Sequence, residues 1–181
     1  MSAMVECPEE IRSLLRTLGI STDLIAARSL TLHPEAQELV VAETGEDGKE
    51  HRLVPEAAAK WREMRAAALS DGVTLKIISA FRGVDRQAEI IRSKLDQGLS
   101  LSAILCTSAP PGFSEHHSGR AIDVSTEGEG ALEPEFAGTA AYRWLSGNAG
   151  KFGFVLSFPA DNPYGYAFEP WHWCYRPTGQ G

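Results

Sequence analysis

The sequence predicts an α+β fold: a single domain with a central antiparallel sheet flanked by helices, preceded by an N-terminal helix and a β-hairpin. Two observations predict it. Helically spaced apolar residues recur in several separate segments, and short alternating or β-rich runs stand between them. A third observation sets the domain count. The 181 residues contain neither a repeat nor a linker, and a chain of that length can bury most of the surface its unfolded form exposes. Residues 1–181 are therefore taken as one unit.

The elements follow in order. From Pro8 to Leu18, apolar residues at Ile11, Leu14, Leu15 and Leu18 mark one helical face, with Gly19 placed to end it. The segment from Ser29 to Val54 holds two alternating stretches around Asp47-Gly48, a strong turn signal, and is expected to form the hairpin. His33 and His51 fall here as isolated polar residues, with a surface or edge-strand place. Pro55 to Leu69 is an alanine-rich helix with proline and glutamate in its first turn and Asp71-Gly72 beyond its end. The β-rich "VTLKIISAF" then runs through Arg82-Gly83 into a second periodic helix, which puts Arg82 at a strand end. A proline-stiffened loop, Thr107 to Phe113, leads to the strand "RAIDVS" and an acidic, glycine-rich loop from Thr126 to Glu135, to which no chemistry is assigned. A helix closing near Gly147 to Gly150, a strand "FVLSF", a turn-rich stretch and a final strand "EPWHWCY" complete the chain.

Composition removes several classes of function. With 43% hydrophobic and 23% charged residues, the chain resembles neither a disordered segment nor a coiled coil. Its 17 basic against 24 acidic residues leave a net charge of −7 without a basic stripe, so no nucleic-acid partner is expected. No apolar run approaches the ~18 residues of a membrane helix. The opening "MSAMVECPEEIRSLLRTLG" does not read as a signal peptide, so the expected location is cytoplasmic as encoded, with action in the cell wall after export by another route as the alternative. Oligomeric state is left open. Cys7, Cys106 and Cys174 are far apart and odd in number, which predicts buried free thiols and not a disulfide framework or a metal knuckle.

The chemistry gathers in "GFSEHHSGRAIDVS", Gly112 to Ser125. Alternation in a strand sets Ala121, Asp123 and Ser125 on one face and Ile122 and Val124 on the other. In the last strand the same rule separates His172 from Trp171 and Trp173. If the two strands are antiparallel neighbours, His116, Asp123 and His172 can converge on one point. Two imidazoles and a carboxylate with an open fourth position describe a catalytic zinc site. Such a site also needs a group to move the water's proton, and Glu169, three residues from His172, is available for it. Asp123 has a plainer alternative, an ion pair with Arg120.

Ser114-x-His116-x-x-Gly119-x-Ala121-x-Asp123 followed by Glu169-x-x-His172 resembles the metal-binding signature of the VanY-type D-alanyl-D-alanine carboxypeptidases. These belong to the wider zinc peptidase group of lysostaphin, D-Ala-D-Ala peptidases and hedgehog. Upstream, Ser79-Ala80-Phe81-Arg82-Gly83-x-x-x-Gln87 is similar to the family's Ser-Gly-Tyr-Arg-Ser-x-x-x-Gln segment, so the recognisable core runs from about residue 73 to 175. The resemblance implies zinc held by His116, Asp123 and His172, and Glu169 as general base and then acid. It also implies Arg82 at the oxyanion or the substrate, with Ser114, Gln87 and Trp171 as substrate-binding residues. His117 lies outside the pattern and is taken as a neighbour, not a ligand. Phe81 and Gly83 depart from the usual tyrosine and serine, which leaves zinc untouched and substrate choice open. The implied partner is a peptidoglycan stem peptide or its precursor, cut beside a D-amino acid by a D,D- or L,D-carboxypeptidase. A peptidoglycan endopeptidase, or a non-catalytic zinc-binding module of the same fold, is the alternative; the module would be marked by loss of the base, and Glu169 and Arg82 are both present.

Overall fold

The computed structural model describes residues 7–126 and 132–177. Its first half contains α1 (Glu9–Thr17), α2 (Thr22–Ala27), the hairpin β1 (Val40–Thr44) and β2 (Glu50–Leu53), α3 (Pro55–Ser70) and β3 (Lys76–Ser79). The second half contains α4 (Val84–Asp96), α5 (Leu101–Leu105), β4 (Ala121–Ser125), α6 (Ala140–Asn148), β5 (Phe154–Leu156) and β6 (His172–Tyr175). The central sheet has the order β3-β4-β6-β5, and every neighbouring pair is antiparallel. This is the α+β arrangement with a central antiparallel sheet that the sequence predicts.

Two apolar clusters flank the site. On the sheet side, α3 turns Ala57, Ala58, Trp61, Met64 and Ala68 inward against the hairpin and the sheet residues Ile77, Ile122 and Val124. Trp61 is wholly buried, and cutting back such a side chain leaves a cavity that costs about 3–5 kcal/mol. On the helix side, α1, α2, α4 and α5 close over Leu15, Ile25, Ile91 and Ile104 together with Phe113 and Tyr166. Glu43 secures the outer edge of β3. Its buried carboxylate accepts from the Trp61 indole at 3.1 Å and from the Ile77 amide at 3.0 Å, so this backbone donor is satisfied without another strand.

Several elements differ from the sequence reading. The hairpin occupies only Val40–Leu53, because the stretch before it pairs elsewhere: the His33 and Ala36 amides donate to the Gly112 and His117 carbonyls at 2.8 Å. His51 is on the hairpin but buried. The short helices α2 and α5 start at Ser21 and Ser100, whose hydroxyls cap them. All of β4 is buried, since both faces of the sheet are covered there. The predicted last helix shortens to α6 between 3₁₀ turns at Pro134–Gly138 and Ala149–Phe152. Cys106 is exposed, contrary to expectation, just past the end of α5, while Cys7 and Cys174 are buried free thiols. Residues 127–131 of the predicted acidic loop, with Glu127 and Glu129, lie outside the described residues.

Candidate active site

The register of β4 and β6 sets Asp123 directly opposite His172. Opposed residues on one face of an antiparallel pair have Cβ atoms within ~5.5 Å. The side chains accordingly meet, with His172 Nδ1 3.0 Å from Asp123 Oδ1. His116 arrives from a 3₁₀ turn, Glu115–Ser118, immediately before β4, and its Nε2 lies 3.2 Å from Asp123 Oδ2. One potential ligand atom from each of the three residues lies within 4.8 Å of the others, and all three are buried. Arg120, the alternative partner for Asp123, instead sits 3.9 Å from Glu56.

The turn carrying His116 is set by its ends. Ser114 Oγ accepts from the His116 amide at 3.3 Å, and Gly119 closes the turn in the left-handed region at φ 65°. A Cβ on Gly119 would come within 2.9 Å of Leu39 Cδ2 and 3.1 Å of Ala36 Cβ, so a side chain there would have to displace its neighbours.

Hydrogen bonds on the far side of each imidazole select its tautomer. A carbonyl can only accept, so His116 donates from Nδ1 to the Ala80 carbonyl at 2.7 Å and keeps the Nε2 lone pair for the site. His172 donates from Nε2 to Glu115 Oε2 at 2.9 Å; its Nδ1, 3.0 Å from Asp123 Oδ1, donates there in the metal-free protein and would have to give up that proton to hold a metal. Ligand imidazoles are commonly oriented in this way. Each imidazole nitrogen lies 3.0–3.2 Å from one of the two Asp123 oxygens, and two imidazoles with a carboxylate are the donor types zinc takes. The donor set therefore fits zinc.

Sequence reasoning missed Glu115. It is held by Ser157 Oγ at 2.6 Å and Arg176 Nη2 at 2.8 Å as well as by His172. The signal was present: a ligand histidine needs an acceptor for its second nitrogen, and this carboxylate adjoins His116 in the quoted motif.

Electrostatics separate the groups. Burial would raise the Glu115 pKa, but the bonds from His172, Ser157 and Arg176 bring it to about 2. Burial likewise opposes charge on His172, yet Asp123 and Glu115 on either side lift it to about 10. Asp123, though buried, is held far below the carboxylate range by the two histidines, while burial pushes His116 down. Glu169 goes the other way: burial, assisted by the charge of Asp123, raises it to about 7.

Glu169 lies at a turn where its amide donates to the Phe158 carbonyl and its carbonyl accepts from the His172 amide, both at 3.1 Å. No side-chain donor among the described residues reaches its carboxylate. Arg82, just past β3, donates to Gln87 Oε1 at 2.8 Å and Ser79 Oγ at 3.1 Å, and lies 3.8 Å from Asp123 Oδ2. Gln87 in turn donates to the Ala109 carbonyl at 2.7 Å. His117 points away from the triad, bonding the Arg82 carbonyl at 2.6 Å and accepting from the Gly112 amide at 3.1 Å. Arg82, Gln87, Ser114, Glu169, Trp171 and the triad line one cleft of about 880 Å³. Ser114 is a turn cap there, and Trp171 belongs partly to the sheet-side core.

An aspartate and a histidine on paired antiparallel strands, a second histidine on the turn before them and a raised glutamate lining the same cleft make a candidate metal centre. Residues 50–178 match the VanY family, D-alanyl-D-alanine carboxypeptidase, and the chain belongs to that family. It is 35% identical over 123 residues to the putative carboxypeptidase YodJ of Bacillus subtilis (strain 168), a match covering 66% of this chain and 45% of that protein. The chain thus spans less than half the length of that relative. Among solved structures, the LdcB LD-carboxypeptidase, described for its peptidoglycan recognition, superposes with a TM-score of 0.69 at 31% identity over 78% of this chain and 69% of that one. A variant of the vancomycin resistance D,D-pentapeptidase VanY from a VanB-type cassette, in complex with Zn(II), gives 0.63 at 29% identity over 80% and 83%. Among the described residues, no helix is long and apolar enough to cross a membrane.

Proposed function

We propose that the chain is a zinc-dependent carboxypeptidase that cuts the peptide bond ahead of a terminal D-amino acid in peptidoglycan stem peptides or their precursors. The observation that carries this reading is Glu169, a buried carboxylate raised to about 7 beside a three-ligand centre that does not use it. His116, Asp123 and His172 would hold the metal. When bound, zinc supplies Lewis acidity: it polarises the scissile carbonyl and lowers the pKa of the attacking water and of the neighbouring Glu169. Glu169 takes the proton from that water and delivers it to the departing amine, a task suited to a group titrating near neutrality. Arg82 spends two of its five N–H donors on Gln87 and Ser79, which fixes the guanidinium and leaves others for the oxyanion. Burying Trp171 along the cleft supplies an apolar wall.

The test is direct. Mass analysis of products from a panel of stem peptides, with and without a chelator, should show chelator-sensitive release of a single terminal D-amino acid. Glu169→Ala should keep stoichiometric zinc and lose most turnover; loss of the metal on that change would refute the assignment. Because Glu169 must be ionised to act as base, kcat/KM should rise with pH through an apparent pKa at or below about 7.

A further inference from the structure

We propose that Lys94 and Ser108 form the subsite that grips the free C-terminal carboxylate of the peptide, and so make the cleft that of an exopeptidase. This assignment rests on the peptidase reading above.

α4 presents Gln87, Ile90 and Lys94 to the cleft at i, i+3 and i+7, a single stripe along its wall. Gln87 anchors Arg82 at the upper end of that stripe. Lys94 follows two turns later, ~10 Å along the axis, and helical side chains lean back toward the N-terminus, which brings the ammonium closer to Arg82. Its Nζ donates to Ser108 Oγ at 2.7 Å, where Thr107, Ser108 and Ala109 make the facing wall.

Charge makes this spot unusual. Lys94 is half-buried and forms no ion pair with any described residue; its hydrogen bond goes to a neutral hydroxyl. Arg86 and Arg52, which also line the cleft, are already paired with Glu89 at 2.9 Å and Glu50 at 2.6 Å, and Lys49, also on its lining, is exposed to solvent. The charged groups that Lys94 feels are Arg82, of like sign, and Glu169. Burial and Arg82 both push its pKa down, so the charged form is short of a counter-ion. An incoming carboxylate supplies one. Ser108, only 8% exposed, accepts from Lys94 and retains its own hydrogen to donate to a second carboxylate oxygen.

The position also fits. Arg82 and Glu169, assigned above to the scissile carbonyl, line the same cleft as Lys94, and a terminal carboxylate lies one residue beyond that carbonyl on the leaving side. Lys94 feels the charges of both, and its own hydrogen bond goes to Ser108 and to no member of the triad. A lysine is a compact point charge, adequate for one carboxylate and indifferent to the side chain that bears it.

The experiment compares a zinc-loaded full chain and its variants on a stem peptide ending in D-alanine, as the free acid and as the C-terminal amide. The wild type should prefer the acid. Lys94→Met should raise KM for the acid roughly 10- to 100-fold, the loss expected of a charge-assisted hydrogen bond, with kcat nearly unchanged, and should erase the preference over the amide. Ser108→Ala should do the same more weakly, and Lys94→Arg should restore part of the preference. Zinc content and circular dichroism verify folding; if Lys94→Met does not fold, Lys94→Gln and Ser108→Ala carry the same comparison. Equal cleavage of acid and amide by the wild type overturns the subsite alone, as does a Lys94→Met that slows both alike. Cleavage of neither by the zinc-loaded wild type sinks the peptidase reading and this subsite with it.

Discussion

The sheet side and the helix side of the cleft are built by different means. On the sheet side, Asp123 and His172 face each other because β4 and β6 are paired in one register, and a slip of one residue would set one of them on the opposite face. On the helix side, Arg82, Gln87, Lys94 and Ser108 are held by side-chain hydrogen bonds between α4, the end of β3 and the proline-rich loop. Backbone pairing leaves its residues no alternative placement, whereas a side-chain network can be retuned one residue at a time. On the proposed reading, the strand register would place the metal and the helical wall would choose the peptide.

The largest expected effect lies on the sheet side. His172→Ala removes a proposed ligand and strands the buried Asp123 carboxylate between fewer partners, a change that costs about 3–5 kcal/mol when a buried pair is broken. Metal analysis should find zinc lost from the purified variant, and denaturant unfolding of the metal-free form should show the instability. Full zinc occupancy would break the comparison, because the register would then not be what places the metal.

Glu115 comes next, since it holds His172 through a side chain rather than through the sheet. Glu115→Gln keeps an acceptor for His172 Nε2 but removes its charge, and should weaken zinc binding about 10- to 100-fold in a competition titration. Its pH signature has a definite sign. The folded pKa of about 2 lies below the ordinary 4.5, so its contribution to stability is present above about pH 4.5 and lost as pH falls toward 2. His172 is raised from 6.5 to about 10, so its contribution is complete below about 6.5 and lost as pH rises through 10. The metal-free protein should lose stability at both ends, and Glu115→Gln should flatten the acid limb to the share that belongs to Asp123.

The same division explains what the sequence disclosed. Asp123 and His172 could be placed because strand alternation is a rule of period two, and a buried carboxylate opposite an apolar face demands a partner. The central sheet and α3 were legible for similar reasons of periodicity and turn chemistry. Lys94 and Ser108 are fourteen positions apart, and no local pattern states that a helix and a loop will meet across a cleft. The stretch before β1 misled because its alternating residues suit a strand, while its amides are taken by the turn that carries the histidines. Tertiary pairing overrode local preference there.

Gly119 joins the two sides, ending the turn that carries His116 and opening β4. Gly119→Ala would place a side chain in the left-handed region, at about 1–2 kcal/mol, and press it against Leu39 and Ala36. A lower Tm together with weaker zinc binding would show that the turn transmits strain to the centre; a lower Tm with unchanged affinity would show that β4 and β6 hold the ligands unaided.

Arg176→Ala should have the smallest effect, and it measures how far the side-chain network reaches. Arg176 is 57% exposed and touches Glu115 from the solvent side at 2.8 Å, so water and salt screen the pair to about 0.2–1 kcal/mol. Ser157 and His172 continue to hold the carboxylate when the guanidinium is gone. Zinc affinity should therefore fall less than about fivefold, and the difference should fade as ionic strength rises. A loss as large as that of Glu115→Gln would mean that the exposed arginine, rather than the buried bonds, keeps Glu115 ionised, and side-chain pairing would then govern the metal as much as strand register does.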